Sequence, residues 1–377
     1  MSPSANSIET RLATRLSFLA AGFGMACWAP LVPFAKARLG VGDGQLGLLL
    51  LFLGIGSICA MPLTGWFCAR SGAKPMILAG GLGLVLLLPV LATTSSAFVL
   101  ATALFGFGAS LGTIDVAMNI HAVEVERAAG RPLMSGFHAM FSVGGITGAG
   151  AMTFLLSAGV ASFTGALCAS AMTLATLGLA WPRLLKARGT HPAPFVAPHG
   201  IVLLLAGLTA VSFLVEGAIL DWSALLIVDA RLAGPAWGGL GYMLFSIAMT
   251  IGRLTGDRIV ARAGNHHVLL GGGLLAVAGF VLLLTAPLPA IAMIGFLLIG
   301  FGAANIVPVL FSLVGRQTVM PAGLAVASLT AIGYAGILTG PALLGFVSHA
   351  LSLPAAFWLL AALMAFVPIF AQRATKG

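Results

Sequence analysis

The sequence predicts an all-α integral membrane protein, with twelve transmembrane helices arranged as two pseudo-symmetric six-helix bundles. Three observations carry that prediction. Hydrophobic residues make up 60% of the 377 and charged residues only 7%, whereas a soluble domain carries about 25% charged residues. The hydrophobic residues fall in runs long enough to cross a bilayer, which takes roughly 20 residues at 1.5 Å each. Motifs of the first half also return in the second, at a spacing near half the chain length.

Apolar runs separated by short polar breaks place spans at about 16–36, 45–68, 75–94, 97–121, 135–157 and 162–182 in the first half. In the second half they fall at about 200–221, 237–256, 267–286, 290–313, 323–346 and 354–371. The first run follows Arg11 and Arg15 as a secretory signal would. It continues to about Phe34, however, without a small-x-small cleavage site in good context. Gly24-Met25-Ala26-Cys27 lacks the aliphatic residue of a lipobox, so this is a first span.

The fourth run, Ala97 to Ala122, begins rich in small residues (Gly106, Gly108, Ala109, Gly112), which lets neighbouring helices come close. It then carries Asp115, with Asn119 one turn later on the same face. A carboxylate at membrane depth costs at least ~2.5–3.5 kcal/mol, so Asp115 should face protein or water. The helix reads as the lining of a polar path. The seventh run carries Glu216 and, about 140° further round, Asp221 nearer the outer surface. One long polar break, Arg183 to His199, holds three prolines and reads as a linker. The expected organisation is therefore a bundle over 1–182, a cytoplasmic linker over 183–199 and a second bundle over 200–377.

With both termini in the cytoplasm, 15 of the 18 basic residues fall inside, Arg70, Lys74, Arg253, Arg258 and Arg316 among them. Lys36, Arg38 and Arg231 fall outside, as the positive-inside rule requires. The net charge of +9 is spread between apolar segments, not gathered on one face as in nucleic-acid binders. No nucleic-acid partner is expected. Cys27, Cys59, Cys68 and Cys168 lie in apolar runs without metal-ligand spacing and read as core thiols. There is no phosphate loop and no H-E-x-x-H or paired Cys/His set. Asp115, His138 and the nearby serines lack a nucleophile-elbow context. These patterns point to neither an enzyme nor a cofactor or metal protein.

The internal repeat shows in three places. GFGAS at Gly106 returns as GFGAA at Gly300, 194 residues on; Arg70 has a partner in Arg258, 188 on; Thr147-Gly148 matches Thr339-Gly340, 192 on. Parallel six-helix repeats are the organisation of secondary transporters, whose sites lie near midplane between the halves.

GWFCARSGAK (Gly65 to Lys74) after the second span and GRLTGDR (Gly252 to Arg258) after the eighth resemble the signature of the major facilitator superfamily. GILTGPALLG (Gly336 to Gly345) adds to that resemblance, which covers the whole chain. EGAILDWSALLI (Glu216 to Ile227) and GRPLMSGFHAMFSVGG (Gly130 to Gly145) are most similar to the fucose-permease-like branch of bacterial inner-membrane permeases, including its YbjJ-like group. The resemblance implies secondary active transport by alternating access, with the signature loops bracing the cytoplasmic side. Arg70, Lys74, Asp257 and Arg258 are then gating residues. The signature acid is absent from the first loop, where Ala69 stands, while Asp257 keeps it in the second. Asp257 is expected near the start of the fifth span, around 132–136, where the helix dipole favours an anion. Proton-coupled fucose permeases use acids in the first and fourth spans. Asp115 matches the fourth, the first has none, and Glu216 is the candidate for the missing role.

Each candidate also has a plainer reading. Asp115 and Glu216 are expected to carry protons, although an acid bonded to a neighbouring helix would look the same in sequence. Asn119 and Asn305 can bond a solute or join helices. Trp28 can stack on a solute or pack, and His138, at the start of the fifth span, can titrate or simply hold structure. Asp221 is a gate or cap. The expectation is a monomeric, proton-coupled symporter of a small polar solute, sugar-like or another metabolite, in contact with membrane lipids. An exporter of drugs or metabolites is the alternative on the same fold. A non-transporting sensor or scaffold is the alternative of another class, and tails of about 15 and six residues argue against it.

Overall fold

The computed structural model describes residues 4–41, 43–185, 197–229 and 240–376, and every regular element among them is helical. Among the described residues, eleven helices are long and apolar enough to cross a membrane. One of them, Leu240–Thr285, runs for 46 residues and is two spans: Gly264, at φ 79° and ψ 160°, leaves the helical region and separates 240–263 from 265–285. The spans thus number the expected twelve. Most of the linker expected over 183–199 lies outside the described residues, as do Lys186, Arg188 and Arg231.

The first span starts earlier than its hydropathy indicates. Its helix begins at Ile8, where the Ser7 hydroxyl accepts the Thr10 N–H at 3.1 Å, so much of the expected N-terminal tail is helix. The span is interrupted: Ile8–Ala26 gives way to a 3₁₀ turn at Ala29–Leu31 and then to Val32–Leu39. Pro30 and Pro33 supply no N–H to an α-helical ladder there, which accounts for the change. Arg38 donates to Thr94 O at 2.7 Å and Leu91 O at 2.9 Å, fastening the end of this span to the end of the third, Ala73–Thr93.

Contacts divide the chain into two compact units. One comprises Met1–Arg131, Phe137–Ala197 and Met320–Ala331; the other comprises Pro132–Gly136, Pro198–Val319 and Ile332–Gly377. In the first unit the span Ala97–Ala129 packs against the second (Asp43–Ser71), the third and the first. In the second unit Leu240–Thr285 packs against both Pro289–Ala303 and the two segments of the twelfth span, Leu353–Met364 and Phe366–Lys376.

The same packing contacts recur in both units, and they fix the register of the repeat. A Cβ on Gly108 would overlap the carbonyl oxygen of Leu53, and one on Gly300 would overlap that of Phe245. A Cβ on Gly80 would lie 2.6 Å from Ser110 O, and one on Gly272 would lie 2.7 Å from Gly302 O. Gly72 has φ 80°, matching the 79° of Gly264. Thr147 donates back to Val143 O and Gly144 O, as Thr339 does to Ala335 O and Gly336 O. Each of these pairs is 192 residues apart. The matches at 194 and 188 are therefore corrected: Gly108, not Gly106, is the counterpart of Gly300, and Arg262, not Arg258, is that of Arg70. Asp257 stands opposite Gly65, about one helical turn before the signature acid position, whose counterpart is Ala261.

The thiols also need a correction. Cys27 and Cys68 are buried, but Cys59 and Cys168 are exposed on the helical surface. In a lipid-facing helix an apolar run has an outer face, so hydropathy alone does not mark the core.

Candidate functional site

In the second unit the polar centre is built around the seventh span, Ile201–Asp229. Glu216 lies within it, and Arg253 Nη2 of the eighth span stands 3.2 Å from Oε1 and 3.4 Å from Oε2. The side chains are 22% and 9% exposed, respectively. Arg253 is therefore no loop charge, as its place beside the signature had implied, but the partner of an acid inside the helical bundle. Its removal from the inside tally leaves the sign of the bias unchanged.

The tenth span explains why Arg253 fits here. It breaks between Pro289–Ala303 and Ile306–Arg316. Pro308, four residues after Ala304, has no N–H to return to the Ala304 carbonyl. Arg253 Nε supplies that missing donor at 3.4 Å. Asn305 Nδ2 donates to Gly252 O at 3.1 Å, while its Oδ1 is buried without a hydrogen-bond partner among the described residues. A Cβ on Gly256 would overlap that oxygen, so this glycine admits Asn305 against the eighth span. Arg253, which was read as peripheral, thus joins Glu216 of the seventh span to the backbone next to Asn305 in the tenth.

At the end of the eighth span, both carboxylate oxygens of Asp257 lie 3.1 Å from the Gly136 N–H. Gly136 is in the first turn of Met134–Ser157, where N–H groups lack helical partners. The placement expected for Asp257 is the one found, despite its one-turn displacement in the repeat. Arg258 is exposed, and so is Asp221.

The first unit holds the other candidates. Asn119 Nδ2 donates to Asp115 Oδ1 at 3.0 Å and to Asp115 O at 2.9 Å; both residues are buried, and Asn119 Oδ1 has no hydrogen-bond partner among the described residues. Trp28 is buried at the interruption of the first span. His138 is buried with its ring 5.3 Å from that of Phe18. Arg70 is exposed and lies 4.2 Å from the centroid of the Trp66 ring. Lys74 is buried instead: its ammonium lies 4.4 Å from the Trp181 centroid and 3.5 Å from Leu184 O.

His121 was not among the sequence candidates. It is fully buried, Leu185 N–H donates to its Nε2 at 3.1 Å, and its Nδ1 is 3.2 Å from Thr14 Oγ1. Nε2 is therefore an acceptor and Nδ1 carries the proton. Thr14 Oγ1 accepts the hydrogen bond from Nδ1–H and donates its own hydroxyl to Thr10 O at 2.9 Å. The available signal was a second polar residue two positions after Asn119 in an otherwise apolar run.

Twelve apolar spans with buried ionic and amide side chains define a multi-pass membrane transporter. No protein-family model matches the chain. A protein of Yersinia pestis described as an uncharacterized MFS-type transporter is 50% identical, over 98% of this chain and 97% of its own length. The membrane protein MosC of Rhizobium meliloti is 30% identical, over 98% and 91%. Among solved structures, the fucose:proton symporter of E. coli superposes with a TM-score of 0.78 at 19% identity, covering 98% of this chain and 99% of that one. The chain belongs to the MFS transporters, the major facilitator superfamily.

Proposed function

We propose that the chain moves a small polar solute across the bacterial inner membrane by alternating access, with both termini cytoplasmic, and that protons exchanged at Glu216 or Asp115 drive the cycle. The observation that carries this reading is the Glu216–Arg253 pair, 3.2 Å apart within the spanning helices. Protonating Glu216 removes the counter-charge of Arg253 and leaves a cation at membrane depth, a costly arrangement. Protonation and rearrangement around Arg253 are then linked, and such a link is what coupling requires. Asp115, held by Asn119, provides a second carboxylate. The likeness to a fucose:proton symporter supports the same direction.

In this reading the Asp257–Gly136 bond braces the cytoplasmic side in one state of the cycle and parts in the other. No equivalent acid stands at Gly65, so the brace carries charge on one side only. Asn305 and Asn119, each with a buried carbonyl oxygen that has no partner among the described residues, offer hydrogen bonds to hydroxyl or amino groups of a solute. The test is a thermal-shift screen of sugars, polyols and amino acids on the purified protein, followed by counterflow of each hit in proteoliposomes. A stabilising solute that is also exchanged supports the reading. Binding without exchange would favour a sensor.

A further inference from the structure

A groove of about 980 Å³ opens on the second unit, between the first turns of the seventh span and the last turns of the twelfth. Leu203, Leu204 and Val211 form one wall, and Phe366 and Phe370 the other. The two phenyl rings stack with centroids 6.0 Å apart and planes 10° from parallel. The end of the groove differs in character: Arg373 and Lys376 line it, both exposed, and no acidic side chain does. A neighbouring cleft of about 200 Å³ shares Ile201 and adds Arg316.

The twelfth span acquires this shape because its helix stops at Met364 and restarts as Phe366–Lys376. Positions 366, 370 and 373 then fall on one face, with 376 a further turn along. A single stripe thus runs from aromatic to cationic, and the positive-inside reading places its charged end at the cytoplasmic membrane surface.

We propose that this groove binds an anionic phospholipid of the adjoining leaflet, with the phosphate at Arg373 and Lys376 and an acyl chain along Phe366 and Phe370. The charge and the apolar wall together select this occupant. A free anion would gain nothing from the phenyl rings of Phe366 and Phe370, and a zwitterionic lipid, its phosphate offset by its own cation, would gain less from Arg373 and Lys376 than an anionic one. Residues 186–196 of the chain itself bring Lys186 and Arg188, the wrong sign for this end of the groove. Anionic headgroups, in contrast, are drawn to cations held at the membrane surface.

The test uses the full chain, purified in detergent, with phosphatidylglycerol, phosphatidylcholine or inorganic phosphate added. Phosphatidylglycerol should raise the unfolding temperature more than phosphatidylcholine, and phosphate alone should leave it unchanged. Native mass spectrometry should show one more retained phosphatidylglycerol on the wild type than on Arg373→Gln/Lys376→Gln, while Arg373→Lys/Lys376→Arg keeps it. Equal responses to the two lipids, a full shift from phosphate alone, or an unchanged lipid count in the glutamine variant would each overturn the proposal.

Discussion

Asp257 holds both carboxylate oxygens 3.1 Å from one backbone N–H, that of Gly136. The acid thus occupies the anion position at the start of the fifth span, where a carboxylate contributes roughly 0.3–1 kcal/mol through the helix dipole. Asp257→Ala should speed hydrogen exchange of the peptide containing Gly136 and leave peptides of the third span unchanged. Unaltered exchange at Gly136 would mean that the bond does not hold that turn.

Arg253 and Glu216 should fail singly and tolerate joint replacement. Arg253→Ala leaves the Glu216 carboxylate, 22% exposed, without its counter-charge; breaking a fully buried pair from one side costs about 3–5 kcal/mol, which sets the upper bound here. Glu216→Leu with Arg253→Met removes both charges and should recover most of the unfolding temperature. Transport should stay absent in both variants, which separates the energetic role of the pair from its role in the cycle.

The register of 192 residues makes a prediction of its own. Gly108→Ala and Gly300→Ala each push a methyl group into a backbone carbonyl and should destabilise by roughly 1–3 kcal/mol, as overpacking does. Gly145→Ala, with nothing within 4 Å, should be neutral. Gly106→Ala meets only the flexible end of Leu87, at 3.0 Å, and should lie between. Thermal unfolding of the four variants checks the order.

His121→Ala should leave the Leu185 N–H without its acceptor, at a cost of about 1–3 kcal/mol for a buried donor. Exchange at Leu185 should rise together with the loss in unfolding temperature. His121→Gln, which offers a carbonyl oxygen on a shorter side chain, should restore part of both.

Much of the architecture was legible in the sequence because a bilayer imposes a length and a polarity on each span. Asp257 could even be assigned its neighbourhood, since the resemblance of the signature loops put it at the start of the fifth span, where the helix dipole favours an anion. The register was misread because strings such as GFGAS and GFGAA recur by composition in any small-residue helix, whereas the true match, ARSG ending at Gly72 against ARAG ending at Gly264, is short and becomes decisive only once the two glycines are seen to share one backbone conformation. Arg253 was misread because it lies inside GRLTGDR, where charge normally marks a loop. Its real environment depends on Glu216, 37 residues away, and on a carbonyl freed by Pro308. Such long-range pairings leave no periodicity to read. His121 escaped for the same reason: its partners, Thr14 and Leu185, lie 107 and 64 residues distant.

The most direct test of coupled transport is solute movement in proteoliposomes with and without an imposed pH gradient, for the wild type, Asp115→Asn and Glu216→Gln. The account predicts accumulation driven by the gradient in the wild type, and its loss in at least one variant while solute binding persists. Gradient-driven accumulation that survives in both variants would contradict it.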